Sequence, residues 1–98
     1  MAKVLFTISY EIKPEKREDY LALAGQMKQH FTGAKGKDYN IFEQKNRRNS
    51  FSELFICRSV EEFDQLEDDQ DDTTQGFINQ LDEYLVNGKM KYSTLIEI

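Results

Sequence analysis

Ninety-eight residues supply one domain, 1–98, and leave no material for a second core. Hydrophobic residues make up 39% of the chain, seven Phe and five Tyr among them, which excludes a disordered composition. The net charge of −5 argues against a nucleic-acid partner, because phosphate binding depends on lysine and arginine displacing counterions. Lys45, Arg47 and Arg48 do cluster, but as a solvated turn between strands. The one cysteine, Cys57, cannot form an internal disulfide, and the opening MAKVLFTISYEI alternates where a secretory segment would be continuously apolar. Both features point to a reducing cytoplasm. No run approaches eighteen apolar residues, so no membrane partner is expected.

Val4, Phe6, Ile8, Tyr10 and Ile12 alternate with Leu5, Thr7, Ser9 and Glu11, the period of a strand. Lys13-Pro14-Glu15 ends it, and proline suits the first turn of the helix that follows. Tyr20, Leu23, Ala24, Met27 and Phe31 then recur at helical spacing, with Lys28 and His30 in the last turn and Gly33 as the left-handed cap. The glycine-rich stretch 32–37 leads to a second strand from Asp38 to Lys45. Asn46-Arg47-Arg48-Asn49 is a turn, and a third strand runs from Phe51 to Arg58. Ser59-Val60-Glu61-Glu62 is a capping box opening a helix that carries Phe63 and Leu66. The acidic stretch 67–72 interrupts that helix and caps a further one, Thr74 to Leu85, which buries Phe77, Ile78, Leu81, Tyr84 and Leu85. Asn87-Gly88 reads as a stop, after which Met90, Tyr92, Thr94, Ile96 and Ile98 alternate as the last strand.

The order βαββαβ, with its second helical region split in two, predicts an α+β, ferredoxin-like fold: a four-stranded antiparallel sheet with the helices on one face. Both faces of the strands carry large apolar groups, however, and helices cover only one. If Val4, Phe6 and Ile8 face the helices, then Leu5, Phe42, one apolar set of the third strand and Leu95 are left bare. A contiguous bare patch of this kind predicts a homodimer packed sheet against sheet.

The opening strand Val4–Tyr10 running into Ile12-Lys13-Pro14-Glu15-Lys16, the Tyr20–Phe31 helix, the glycine connection before Tyr39, the Ser59–Phe63 helix start and the terminal Tyr92–Ile98 strand together resemble the dimeric α/β-barrel superfamily, most of all its antibiotic-biosynthesis-monooxygenase-like domains. The resemblance implies cofactor-independent oxygenation of a flat aromatic molecule, in a pocket between sheet and helices and with no cofactor. Haem-degrading members of the superfamily use an Asn on the first strand, a Trp and a His near the second helical region. Here the first strand has Thr7 and Ser9, there is no Trp, and the one histidine, His30, lies in the first helix, so the haem chemistry does not carry over.

His30 is the one side chain that titrates near neutrality unaided, which makes it the candidate catalytic base; the plainer role is a histidinium completing the dipole of the first helix. Tyr10, Tyr39, Asn40 and Tyr84 are the candidate pocket residues beside it, and Tyr92 is a further available hydroxyl; each tyrosine also falls on an apolar face, where packing is its ordinary role. Cys57 beside Phe55 reads as a small packed hydrophobe. Asp69-Gln70-Asp71-Asp72-Thr73-Thr74 lacks the glycine and the distal glutamate of a calcium loop, so no metal is expected there. Two functions compete: an oxygenase with an internal cavity of a few hundred Å³, and a non-catalytic homodimer that binds a small apolar or aromatic ligand or serves as an accessory protein.

Overall fold

The structure, a computed structural model, describes residues 2–68 and 71–98. Four strands, β1 (Val4–Ile12), β2 (Asp38–Glu43), β3 (Ser50–Cys57) and β4 (Leu85–Ile96), form one antiparallel sheet in the order β2-β3-β1-β4. Helices α1 (Arg17–Lys28), α2 (Val60–Asp68) and α3 (Asp72–Asp82) lie on one face. This is the ferredoxin-like arrangement, with the second helical region divided as the sequence pattern predicts. No described helix is long and apolar enough to cross a membrane.

Register explains which residues meet. On the helix side, Tyr10 stands opposite Phe51 and Met90, Ile8 opposite Glu53 and Tyr92, and Phe6 opposite Phe55 and Thr94. Tyr39 and Ile41 of β2 extend these rows beside Phe55 and Glu53. α1 presents Tyr20, Leu23, Ala24 and Met27 at i, i+3, i+4 and i+7, so one helical stripe seals this face. Tyr20, Ile12, Leu23, Met27 and Val4 are fully buried, each such burial contributing roughly 1.5–3 kcal/mol. Cys57 is buried as a packing residue, and burial pushes its thiol pKa up.

The opposite face is the uncovered one. Its rows are Leu95–Leu5–Ile56, then Ser93–Thr7–Leu54–Asn40, then Lys91–Ser9–Ser52–Phe42. Leu5, Leu54 and Ile56 are half-buried by their neighbours, while Phe42 and Leu95 are 55% and 56% exposed. Polar residues interrupt this apolar band, and in the third row the Ser9 and Ser52 hydroxyls meet at 2.9 Å.

Several local expectations give way to tertiary structure. Pro14–Lys16 forms a 3-10 turn before α1, and beyond Lys28 the chain widens into a π turn over Gln29–Ala34, closed by Lys35 N–H donating to the His30 carbonyl at 3.0 Å. His30 therefore lies past the end of α1, and Gly36, with φ 64°, is the left-handed residue in place of Gly33. β2 ends at Glu43 rather than Lys45. α3 ends at Asp82, so Tyr84 and Leu85 follow it, and Ile78 is 38% exposed.

Asn87 and Gly88 do not stop the chain. Their positive φ values, 59° and 61°, build a bulge inside β4, where Leu85 to Met90 opposes only Ile12 to Tyr10 of β1. The capping box closes on one side as expected, with Glu62 N–H donating to Ser59 Oγ at 3.1 Å. The Glu62 carboxylate accepts instead from Arg58 N–H at 2.6 Å. Asp71 caps α3 by accepting from Thr74 N–H at 2.8 Å. Asp69 and Gln70, within the acidic stretch, lie outside the described residues.

Candidate functional site

Between the sheet and helices α2 and α3 the layer is hollow. A cavity of about 570 Å³ opens there, walled by Phe6, Ile8, Phe55, Phe63, Phe77 and Tyr92 among others. This lies within the range of small-molecule sites, and the wall is mostly apolar and aromatic, as flat apolar ligands need. Lys35, Lys37 and Glu53 bring the charges to it, and Thr74 and Thr94 the hydroxyls.

Glu53 is the residue that stands out chemically. Strand alternation turns it inward from β3, between Ile8 of β1 and Ile41 of β2, and it is only 5% exposed. Burial raises its pKa, because a carboxylate loses hydration there; hydrogen bonds from Tyr39 and, second, Tyr10 offset part of that rise. The Tyr39 hydroxyl donates to Glu53 Oε1 at 2.6 Å. Behind it, the Tyr10 and Tyr20 hydroxyls meet at 2.8 Å, and burial first, then the Glu53 charge, holds the Tyr10 and Tyr39 phenols protonated. The result is a carboxyl backed by tyrosines in the wall of an apolar cavity. Its raised pKa moves it towards the range in which a carboxylate serves as a general base near neutrality.

A second polar group sits where the π turn meets α3. Lys35 Nζ pairs with Asp71 Oδ2 at 2.9 Å, and His30 Nε2 lies 3.8 Å from the same oxygen, too long for a hydrogen bond. The His30 ring packs edge-on against Phe31 and Phe77, with centroids at 5.2 and 5.5 Å. Among the described residues, His30 Nε2 and Thr74 Oγ1 are buried without a well-formed hydrogen bond, although the Thr74 hydroxyl is near enough to Asp71 to help lower its pKa. The Asp71 carboxyl is held low chiefly by the Thr74 N–H, then by Lys35. No three His, Cys, Asp or Glu side chains gather into a metal-binding group among the described residues.

No family model and no curated protein matches the chain. Solved structures do, over nearly its full length. A conserved protein from Methanosarcina mazei Go1 superposes with a TM-score of 0.81 at 17% identity, covering 97% of this chain and 92% of that one. An antibiotic biosynthesis monooxygenase gives 0.70 at 13%, covering 100% and 97%. A variant of SnoaB, a cofactor-independent oxygenase from Streptomyces nogalater, gives 0.72 at 10%, covering 95% and 90%. The chain has the fold that these solved structures share, antibiotic biosynthesis monooxygenases among them. At these identities the likeness is one of fold, and chemistry has to be argued from the site.

Within this fold, the residues singled out from sequence are scattered. Tyr10 and Tyr39 come together through Glu53, one layer behind the cavity wall. His30 stands behind Phe31 and Phe77 rather than in the wall. Tyr84 is buried beyond the end of α3, where its hydroxyl accepts from Gln80 Nε2 at 3.2 Å. Asn40 is turned to the other face of the sheet, because side chains alternate and Tyr39 points inward. Tyr92 does line the cavity. Glu53 was missed, though it carries a visible signal: a carboxylate at an inward position of Phe51-x-Glu53-x-Phe55-x-Cys57 interrupts an otherwise apolar face.

Proposed function

We propose that this chain binds a flat aromatic small molecule in the cavity between sheet and helices and oxygenates it without a cofactor, with Glu53 taking the proton. The observation that carries this is a buried carboxyl, raised in pKa, in the wall of an apolar cavity of about 570 Å³. Removing a proton from an activated ring carbon or hydroxyl leaves an electron-rich anion, and that anion supplies the electrons that reduce dioxygen. For an anthrone, one oxygen atom becomes the ring ketone while the other leaves as water with the two methylene hydrogens. The Phe55, Phe63 and Phe77 rings offer stacking surfaces and exclude water from the anion. The likeness to a cofactor-independent oxygenase supports the reaction class.

The assembly belongs to the same proposal. Leu5, Leu54, Ile56, Phe42 and Leu95 form an apolar band that the chain's own helices leave bare, and a second copy packed sheet against sheet covers it. Leu5→Asp is expected to shift sedimentation from dimer to monomer.

The deciding experiment is oxygen uptake with anthrone by the native chain and by Glu53→Gln. A general base contributes about 10²–10⁴-fold, so uptake above the buffer rate should fall about a hundredfold or more in the variant. Equal uptake by both forms removes Glu53 from the role. His30→Ala run in parallel tests the histidine as the base. Binding of anthrone without any uptake by the native chain turns the assignment to a non-catalytic binding protein.

A further inference from the structure

The cavity is asymmetric in charge. Glu53 lies in the middle of β3, while Lys37 comes from the stretch that enters β2. Asp38 pairs with Ile56, so Lys37 sits level with Cys57, four residues beyond Glu53 along the sheet. At roughly 3.3 Å per residue, that is about 13 Å from the Glu53 backbone. The Lys37 charge reaches the Cys57 thiol, drawing its pKa back down in part, whereas burial and tyrosine hydrogen bonds account for Glu53 with no contribution from a lysine. The two charges belong to opposite ends of the hollow.

The two lysines of the wall also differ from each other. Lys35 is committed to Asp71 at 2.9 Å. Lys37 is half-buried and, among the described residues, forms no ion pair. Its backbone is fixed, with its N–H donating to the Phe31 carbonyl at 2.8 Å, and its side chain lines the cavity. A lysine that lines an aromatic cavity and pairs with no internal anion among the described residues is able to offer its ammonium to an anionic ligand.

Resting on the proposed ligand site, we infer that the cavity takes a bipolar ligand: a flat aromatic acid whose carboxylate meets Lys37 and whose hydroxyl, at the far end of the ring system, meets Glu53. The acid end selects and orients; the hydroxyl end presents its proton to the carboxyl. Simple uncharged arenes fill the same space without an anchor at either end.

The test is direct binding to the full chain, by calorimetry at pH 7.5, of 6-hydroxy-2-naphthoate, 2-naphthol and 3-hydroxy-2-naphthoate. The first carries its groups at opposite ends, the second lacks the acid, and the third has both groups on one edge. A hydrogen bond to a charged partner is worth enough to make the 6-hydroxy acid bind about tenfold or more tighter than 2-naphthol. The 3-hydroxy isomer should gain little over 2-naphthol. Lys37→Gln should abolish the acid's advantage by weakening the acid far more than 2-naphthol, whereas Lys35→Gln should leave most of the advantage in place.

Equal affinity for acid and naphthol in the native chain overturns the inference while the ligand site stands. Equal weakening of both by Lys37→Gln overturns it as well, since the lysine would then shape the cavity rather than read the acid. If none of the three binds, the ligand site itself falls, and the inference with it.

Discussion

At the Tyr20 end of the layer between sheet and helices, side chains fill the space; at the Phe6 end they line it. Tyr20, Leu23, Ile12, Leu85 and Phe51 form the solid half, each at most 4% exposed. Phe6, Ile8, Phe63, Phe77 and Tyr92 ring the hollow half, where Tyr92 is 64% exposed. One sheet builds both, so the difference comes from what covers it. α1 runs twelve residues across the solid half, and the β4 bulge folds Leu85 in beside Ile12. The hollow half is roofed by α2 and α3, of nine and eleven residues, split from one another after Asp68. Glu53 stands where the two halves meet. Side chains close-pack one half and leave a ligand-sized space in the other, and the same aromatic residue types serve both.

Removing bulk from each half separates them most sharply. Leu23→Ala in the solid half should cost about 2–5 kcal/mol, the range for a fully enclosed leucine. Leu66→Ala in the hollow half removes a half-buried side chain that already faces empty space, and should cost about 1 kcal/mol or less while enlarging the cavity. Urea unfolding of the two variants measures both. Similar costs would mean that the hollow collapses in solution.

Glu53 tests the boundary, with an expected effect on the order of 1–3 kcal/mol, the range for a buried polar group imperfectly compensated. Its folded pKa is raised, so its contribution to stability is fully present below the ordinary carboxylate value and is lost as pH rises through the raised one. Glu53→Gln keeps an oxygen for the Tyr39 hydroxyl and never charges. The variant should therefore be more stable than the native chain at pH 8, with the gap narrowing or reversing near pH 4. A gap that is constant from pH 4 to 8 would show that the carboxyl does not titrate within the folded state.

Much of this division is legible in the sequence, and the limits have physical causes. The strands, the α1 stripe, the split second helical region and the bare apolar band follow from periodicity, because alternation and 3.6-residue spacing are local properties. The hollow is not local. It depends on how far α2 and α3 stand off the sheet, and no periodicity encodes that. The Tyr39–Glu53 bond joins residues fourteen apart and the Tyr10 contact reaches across to β3, so strand register decides them both. Asn87-Gly88 misleads because positive φ serves a turn and a bulge equally well; only the pairing of Leu85 with Ile12 distinguishes them. Asn40 shows the same limit in parity, since alternation yields two faces but does not say which one the helices cover.

The smallest expected effect lies at the edge of the solid half, in the clamp between α1 and the end of β2. Arg17 donates two hydrogen bonds to the Glu43 carboxylate, at 2.6 and 2.9 Å, and a third to Asn49 Oδ1 at 2.9 Å. Asn49, in the left-handed conformation, returns its N–H to Glu43 at 2.8 Å. The Arg17 hydrogen bond first, then the Asn49 N–H, lowers the Glu43 pKa from 4.5 to about 2. A depressed folded pKa gives stability that is present above the ordinary value and lost as pH falls through the folded one. The native chain should thus exceed Glu43→Gln in stability at pH 6, and the two should converge between pH 4.5 and about 2. The clamp is solvent-exposed, so the margin at pH 6 should also shrink with added salt. The hollow half has its own half-buried pair in Lys35 and Asp71, and there the division becomes testable. Glu43→Gln should leave 2-naphthol binding untouched, because nothing it holds reaches the cavity wall. Asp71→Asn should weaken that binding, because it loosens the start of α3, which carries Thr74, Phe77 and Ile78 of the wall.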